Sequence, residues 1–105
     1  MKYRILGRTG INVSLASLGT GGPSNLGQRK GLSQLDQTRL IRRALDLGIN
    51  FLDTSVGYGE SESILGRALE GVPRDNYVLA TKWKYDVEPA VSIQDLVRSV
   101  DQSLH

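Results

Sequence analysis

The chain has no cysteine, which removes disulfides, thiolate metal sites and cysteine nucleophiles together. Histidine occurs once, at His105, so a multi-histidine zinc site is excluded as well. Neither sign of charge is in real excess. The 13 Lys+Arg against 11 Asp+Glu leave a net charge of +2, and Arg42-Arg43 is an isolated basic pair with no aromatic–basic motif around it. No apolar run approaches the ~20 residues of a membrane-spanning helix. The N-terminus, Met1-Lys2-Tyr3-Arg4-Ile5-Leu6-Gly7-Arg8, lacks the apolar stretch of a secretory signal. These absences lead to the expectation of a soluble, cytoplasmic protein with no metal, no nucleic-acid partner and no membrane.

What is present is ordinary for a folded chain. Hydrophobic residues make up 39% and charged residues 23%, a balance that argues against disorder. The 105 residues suffice for one domain with a buried core. They do not suffice for a complete eight-stranded α/β barrel, which takes ~250 residues.

Turn signals and hydrophobic periodicity divide the chain cleanly. Residues 2–6 and 11–14 read as a hairpin joined through Gly7-Arg8-Thr9-Gly10. Residues 15–20 read as a short buried strand, ending in Gly19-Thr20-Gly21-Gly22-Pro23, which opens a loop reaching about Leu32. Ser33, three residues before Asp36, starts a helix. Its apolar residues are Leu35, Leu40, Ile41, Ala44, Leu45 and Leu47, and Gly48 stops it. Residues 49–53 form the next strand. A second helix from Glu62 carries Ile64, Leu65, Ala68 and Leu69 and stops at Gly71. Residues 77–82 form a third strand, and Ser92 opens a helix with Ile93, Leu96, Val97, Val100 and Leu104 on one face, running to the last residue. A hairpin followed by β-α-β-α-β-α implies a parallel sheet with helical crossovers. No linker, repeat or second domain interrupts it.

Three residues at this sheet's carboxyl edge could carry chemistry. Asp53 ends the second strand and Lys82 the third, and α/β folds place their sites at that edge. Tyr58 follows Asp53 in the loop Thr54-Ser55-Val56-Gly57-Tyr58-Gly59 and can fold back over it. A tyrosine with pKa ~10 is a poor general acid at neutral pH unless a cation lowers that value. A lysine within hydrogen-bond range could do so, and an aspartate could hold the lysine. Such a tyrosine could protonate a carbonyl oxygen as hydride arrives at its carbon. The plain reading stands beside this one: an aspartate at a strand end is commonly a turn or cap residue, and tyrosines and lysines are often only surface.

The stretch from Gly48-Ile49-Asn50-Phe51-Leu52-Asp53-Thr54-Ser55-Val56-Gly57-Tyr58-Gly59 through Glu62 and Leu65-Gly66 resembles the signature of the aldo-keto reductases. Leu6-Gly7-Arg8-Thr9-Gly10, Val13-Ser14, Leu18-Gly19-Thr20-Gly21 and Val78-Leu79-Ala80-Thr81-Lys82 match the same family in the same order. The resemblance implies a (β/α)8 barrel plugged at its base by an N-terminal hairpin. It implies reduction of aldehydes and ketones by a nicotinamide cofactor, NADPH with NADH as the alternative. By motif, Tyr58 resembles the proton donor, Lys82 the residue that tunes it and Asp53 the aspartate that supports the lysine. Lys84 lies outside the Ala-Thr-Lys motif and is the weaker candidate. Gly19-Thr20-Gly21 and Asp53 would approach the nicotinamide. Gly19-Thr20-Gly21 is not a dinucleotide-binding fingerprint, because it lacks the third glycine and leads into a loop.

Length and resemblance together give the expected fold: a hairpin and three βα units of a parallel (β/α)8 barrel, left incomplete, over residues 1–105. The family's catalytic histidine, at the end of a fourth strand, and its phosphate-gripping loops after the last strands have no counterpart here. His105 reads as a cation near a helix C-terminus. Tyr77 reads as packing, and Trp83 with Tyr85 as the start of a loop, with a substrate pocket as the alternative for all three. The first expectation for function is a reductase segment acting on a small carbonyl substrate, inactive by itself and able to self-associate through an open barrel edge. The second is a short non-catalytic product that serves as an interaction or regulatory module.

Overall fold

A computed structural model of the chain describes residues 1–83 and 92–104. Strands β1 (Tyr3–Ile5) and β2 (Asn12–Ser14) pair antiparallel, with Arg4 opposite Val13. Strands β3 (Leu18–Gly19), β4 (Phe51–Asp53) and β5 (Val78–Ala80) form a parallel sheet in that order. Helix α1 (Gln34–Asp46) connects the first pair of these strands and α2 (Ser61–Ala68) the second, while α3 (Ile93–Leu104) follows β5. The result is an open α/β fragment, an unclosed barrel wall with a hairpin at one end, as the sequence led us to expect.

Local chemistry explains the helix boundaries. The Ser33 hydroxyl accepts from the Asp36 N–H at 3.1 Å and caps α1. The side of α1 that is buried is narrower than its apolar content suggests. Gln37, Ile41 and Ala44 are buried and Leu45 packs beside them, whereas Leu35, Leu40 and Leu47 are exposed. Helix α2 buries Ser61, Ile64, Leu65 and Ala68, the i, i+3, i+4, i+7 stripe of one helix face. That stripe meets Ile41, Leu52 and Leu26, and Leu18, Leu45, Val72 and Tyr77 close around them. The core therefore lies between one face of the sheet and α1–α2. From within α1, Arg42 ties that helix to the C-terminal end of α2, donating to the carbonyls of Ala68 and, just beyond the helix, Glu70.

Asn50 joins the hairpin to the sheet. Its Oδ1 accepts from the Ser14 N–H at 2.7 Å, its N–H donates to Ser14 Oγ, and its Nδ2 donates to the Asn12 carbonyl. Asn50 precedes β4, so the hairpin is fixed at the amino end of the sheet, away from the edge where Asp53 and Lys82 lie.

One expectation needs correction. The strand read over 15–20 is Leu18–Gly19 only, because the Ser14 hydroxyl donates to the Ala16 carbonyl and bends the chain, leaving Leu15 exposed. Along the apolar face of α3, Leu96 is half-buried while Ile93, Val97, Val100 and Leu104 are exposed, and no residue of the helix is fully buried. Spacing makes a helix amphipathic, but only a neighbour covers its apolar face. The loop to Leu32 also contains an unforeseen 3-10 turn, Gln28–Lys30. Among the described residues no helix is long and apolar enough to cross a membrane.

Candidate active site

Parallel register sets the site. Gly19 pairs with Asp53 and Asp53 with Ala80, which brings the ends of β3, β4 and β5 to one edge. Pairing runs on past the strand ends, with Thr54 N–H donating to the Ala80 carbonyl at 2.8 Å and Val56 N–H to the Lys82 carbonyl at 3.2 Å. Lys82 lies two residues beyond β5, yet this continuation holds its backbone beside the Asp53 loop.

The Lys82 ammonium donates to Asp53 Oδ1 at 2.8 Å and to the Thr54 carbonyl at 2.9 Å. It also stands 5.2 Å from the centre of the Tyr58 ring, within reach of a cation–π contact. The hydrogen bond to Asp53 holds the Lys82 pKa above the ordinary lysine value, against a smaller opposing effect of burial and with further help from the charges of Asp53 and Tyr58. At this elevated value the lysine is a fixed cation at neutral pH. Its side chain is 49% exposed and that of Asp53 37%, so the pair opens to water.

Tyr58 sits directly over Gly21. A Cβ at Gly21 would come 2.8 Å from the Tyr58 Cζ, so only glycine admits the ring there. The turn carrying Tyr58 closes through Tyr58 N–H to the Ser55 carbonyl, while Ser55 Oγ donates to the Lys82 carbonyl and accepts from Gly57 N–H. The three residues singled out in the sequence are thus brought together. A phenolic side chain, a neighbouring cation and a carboxylate that anchors the cation share one sheet edge.

The aldo/keto reductase family model matches residues 17–105. The chain belongs to the aldo/keto reductase family. The L-galactose dehydrogenase of Arabidopsis thaliana is 39% identical over 110 residues, a match covering 99% of this chain and 34% of that protein. The NADH-specific methylglyoxal reductase of Escherichia coli is 41% identical over 88 residues, covering 78% of this chain and 26% of that protein. Among solved structures, the holo form of the aldo-keto reductase AKR11C1 from Bacillus halodurans superposes with a TM-score of 0.77 at 29% identity, over 99% of this chain and 35% of that one. The chain spans about a third of the length of the relatives it matches.

The family resemblance also pointed to Gly19-Thr20-Gly21. Gly19 is exposed, and a Cβ built on it would meet nothing within 4 Å, so the end of β3 is open beside Asp53. Thr20 is fully buried, with its N–H and hydroxyl both donated to the Asp53 carbonyl. Gly21 supports Tyr58. Tyr77 packs against the core, and Trp83 lines a cavity of about 220 Å³ with Leu79, Val100 and Leu104. Lys84, Tyr85 and His105 lie outside the described residues.

Sequence reasoning missed Gln28 and Ser61. Ser61 Oγ donates to the Thr20 carbonyl at 2.8 Å, tying α2 to the end of β3. A serine at the first position of a helix is a detectable signal, although its partner is not. Gln28 gave no signal, because its contacts with residues 58–61 lie 30 or more residues away in sequence.

Proposed function

We propose that this chain carries the proton-donating part of a nicotinamide-dependent carbonyl reductase site. The observation that carries the reading is the Lys82 ammonium bound to Asp53 Oδ1 at 2.8 Å while facing the Tyr58 ring. Tyr58 would give its hydroxyl proton to the oxygen of a small aldehyde or ketone. Lys82 would stabilise the tyrosinate that forms, and Asp53 would keep Lys82 in place and charged. Gly19, Thr20, Gly21 and Asp53 would shape the shelf beside the ring of NADPH or NADH, with Thr20 acting through Asp53. The open backbone at Gly19 suits a flat ring lying close. The reduced nicotinamide supplies the hydride that the carbonyl carbon accepts.

The polypeptide alone would show no appreciable turnover. Its site faces water on one side, and catalytic electrostatics weaken where solvent enters. Among the described residues β5 is an edge strand, and that edge with the exposed Leu79, Val100 and Leu104 supports a further reading, self-association through the open side.

The test is a hybrid in which residues 1–105 replace the matching third of a full-length relative. NAD(P)H-dependent reduction of a reactive aldehyde by the hybrid, with none from residues 1–105 alone, supports the proposal. A folded hybrid without turnover, or turnover by the chain alone within tenfold of the relative, contradicts it. Light scattering of the isolated chain tests self-association, which a strictly monomeric mass would refute.

A further inference from the structure

The turn that carries Tyr58 is gripped from a distant loop. One Gln28 carboxamide reaches three of the four residues from 58 to 61. Its Nε2 donates to the Tyr58 carbonyl at 3.1 Å and to Ser61 Oγ at 3.0 Å, and its Oε1 accepts from Glu60 N–H at 2.8 Å. The remaining residue, Gly59, has φ +58°, and a Cβ there would run into Gln28 Oε1. The grip therefore requires glycine at 59. Nε2 also donates to the Asn25 carbonyl at 2.7 Å, so three acceptors share two N–H bonds.

The loop holding Gln28 adopts a conformation that costs free energy. Asn25 and Leu26, with φ of 50° and 59°, precede Gly27 at 79°, three left-handed residues in a row. Residues with a Cβ disfavour this region, and it persists only where the surroundings enforce it. Two anchors do so here: the Leu26 side chain is buried in the core, and Gln28 is bonded to the Tyr58 turn.

We propose that Gln28 is a positioning residue, which locks residues 58–61 and so keeps the Tyr58 ring over Gly21 and beside Lys82. This rests on the reading of Tyr58 as proton donor. The donor side of the carboxamide is the working half. Gln28→Glu keeps the shape and the acceptor for Glu60 N–H, but turns an oxygen towards the Tyr58 carbonyl where an N–H had been.

The test is proton NMR on the 105-residue chain without cofactor or substrate. The Tyr58 ring shields the Gly21 α-protons, and Tyr58→Ala sets the unshielded value. Gln28→Ala and Gln28→Glu are each expected to lose more than half of that shielding, while the amide shifts of Leu18, Leu52 and Leu79 stay in place. Shielding retained in any variant that keeps those amide shifts overturns the proposal. Loss of the sheet amides in both variants overturns it too, since Gln28 would then hold the fold and not Tyr58. No turnover enters this readout, so a failure of the catalytic reading shows in the hybrid assay and leaves this result standing.

Discussion

Lys82 and Asp53, 29 residues apart in sequence, meet at 2.8 Å between Nζ and Oδ1. Nothing in either residue's neighbourhood brings this about. The parallel pairing of β4 with β5 sets Asp53 opposite Ala80, and the chain beyond β5 stays bonded to residues 54–56 long enough to return Lys82 to the carboxylate. The same lysine then faces Tyr58, so the fold's pairing register arranges the chemistry.

The pair makes stability depend on alkaline pH. Asp53 raises the folded-state pKa of Lys82 above 10.5, so the contribution is complete below that value and is lost as pH rises through the raised one. Both side chains are more than a third exposed, which limits the contribution to about 1 kcal/mol or less. Urea midpoints of the chain and of its Lys82→Met variant should differ at neutral pH and converge above pH 10.5. A difference that stays constant across that range contradicts the assignment.

Gly21→Ala should harm function more than folding. The Gly21 backbone lies outside the left-handed region, but the new methyl would meet the Tyr58 ring at 2.8–2.9 Å. In the hybrid enzyme the expected outcome is a fall in kcat of roughly tenfold or more, since misplaced reacting groups lose rate steeply. The thermal midpoint should move little. Unchanged kcat would show that Tyr58 does not need this seat.

Gly66 provides the opposite case. It lies inside α2, exposed, and a Cβ there would meet nothing within 4 Å. Gly66→Ala should stabilise the chain by about 0.5–1 kcal/mol through helix propensity. Chemical denaturation measures this directly, and a destabilised variant would mean that α2 does not have the backbone described.

Local features were legible in the sequence and long-range ones were not. The Ser33 cap and the buried stripe of α2 follow from residues within a turn or two of each other. That Asp53 and Lys82 share an edge was legible because strand ends in a parallel sheet lie side by side, whereas Tyr58 and the roles of all three rested on the family resemblance. Leu15 was misjudged because a single hydroxyl, Ser14 Oγ, bends the chain there. Periodicity gave α3 its apolar face, yet how far that face is buried depends on what packs against the helix, which periodicity does not specify. Gln28 was invisible for the same reason, since its role exists only once loops 30 residues apart have met.

The central claim is that Tyr58 delivers the proton. The most direct measurement is the rate of carbonyl reduction by the hybrid enzyme and its Tyr58→Phe variant at saturating cofactor. Removing a general acid costs about 10²–10⁴-fold, and phenylalanine keeps the ring over Gly21. We expect a loss in that range with cofactor affinity unchanged. A variant that retains its rate within about threefold, too little for a lost general acid, would contradict the account.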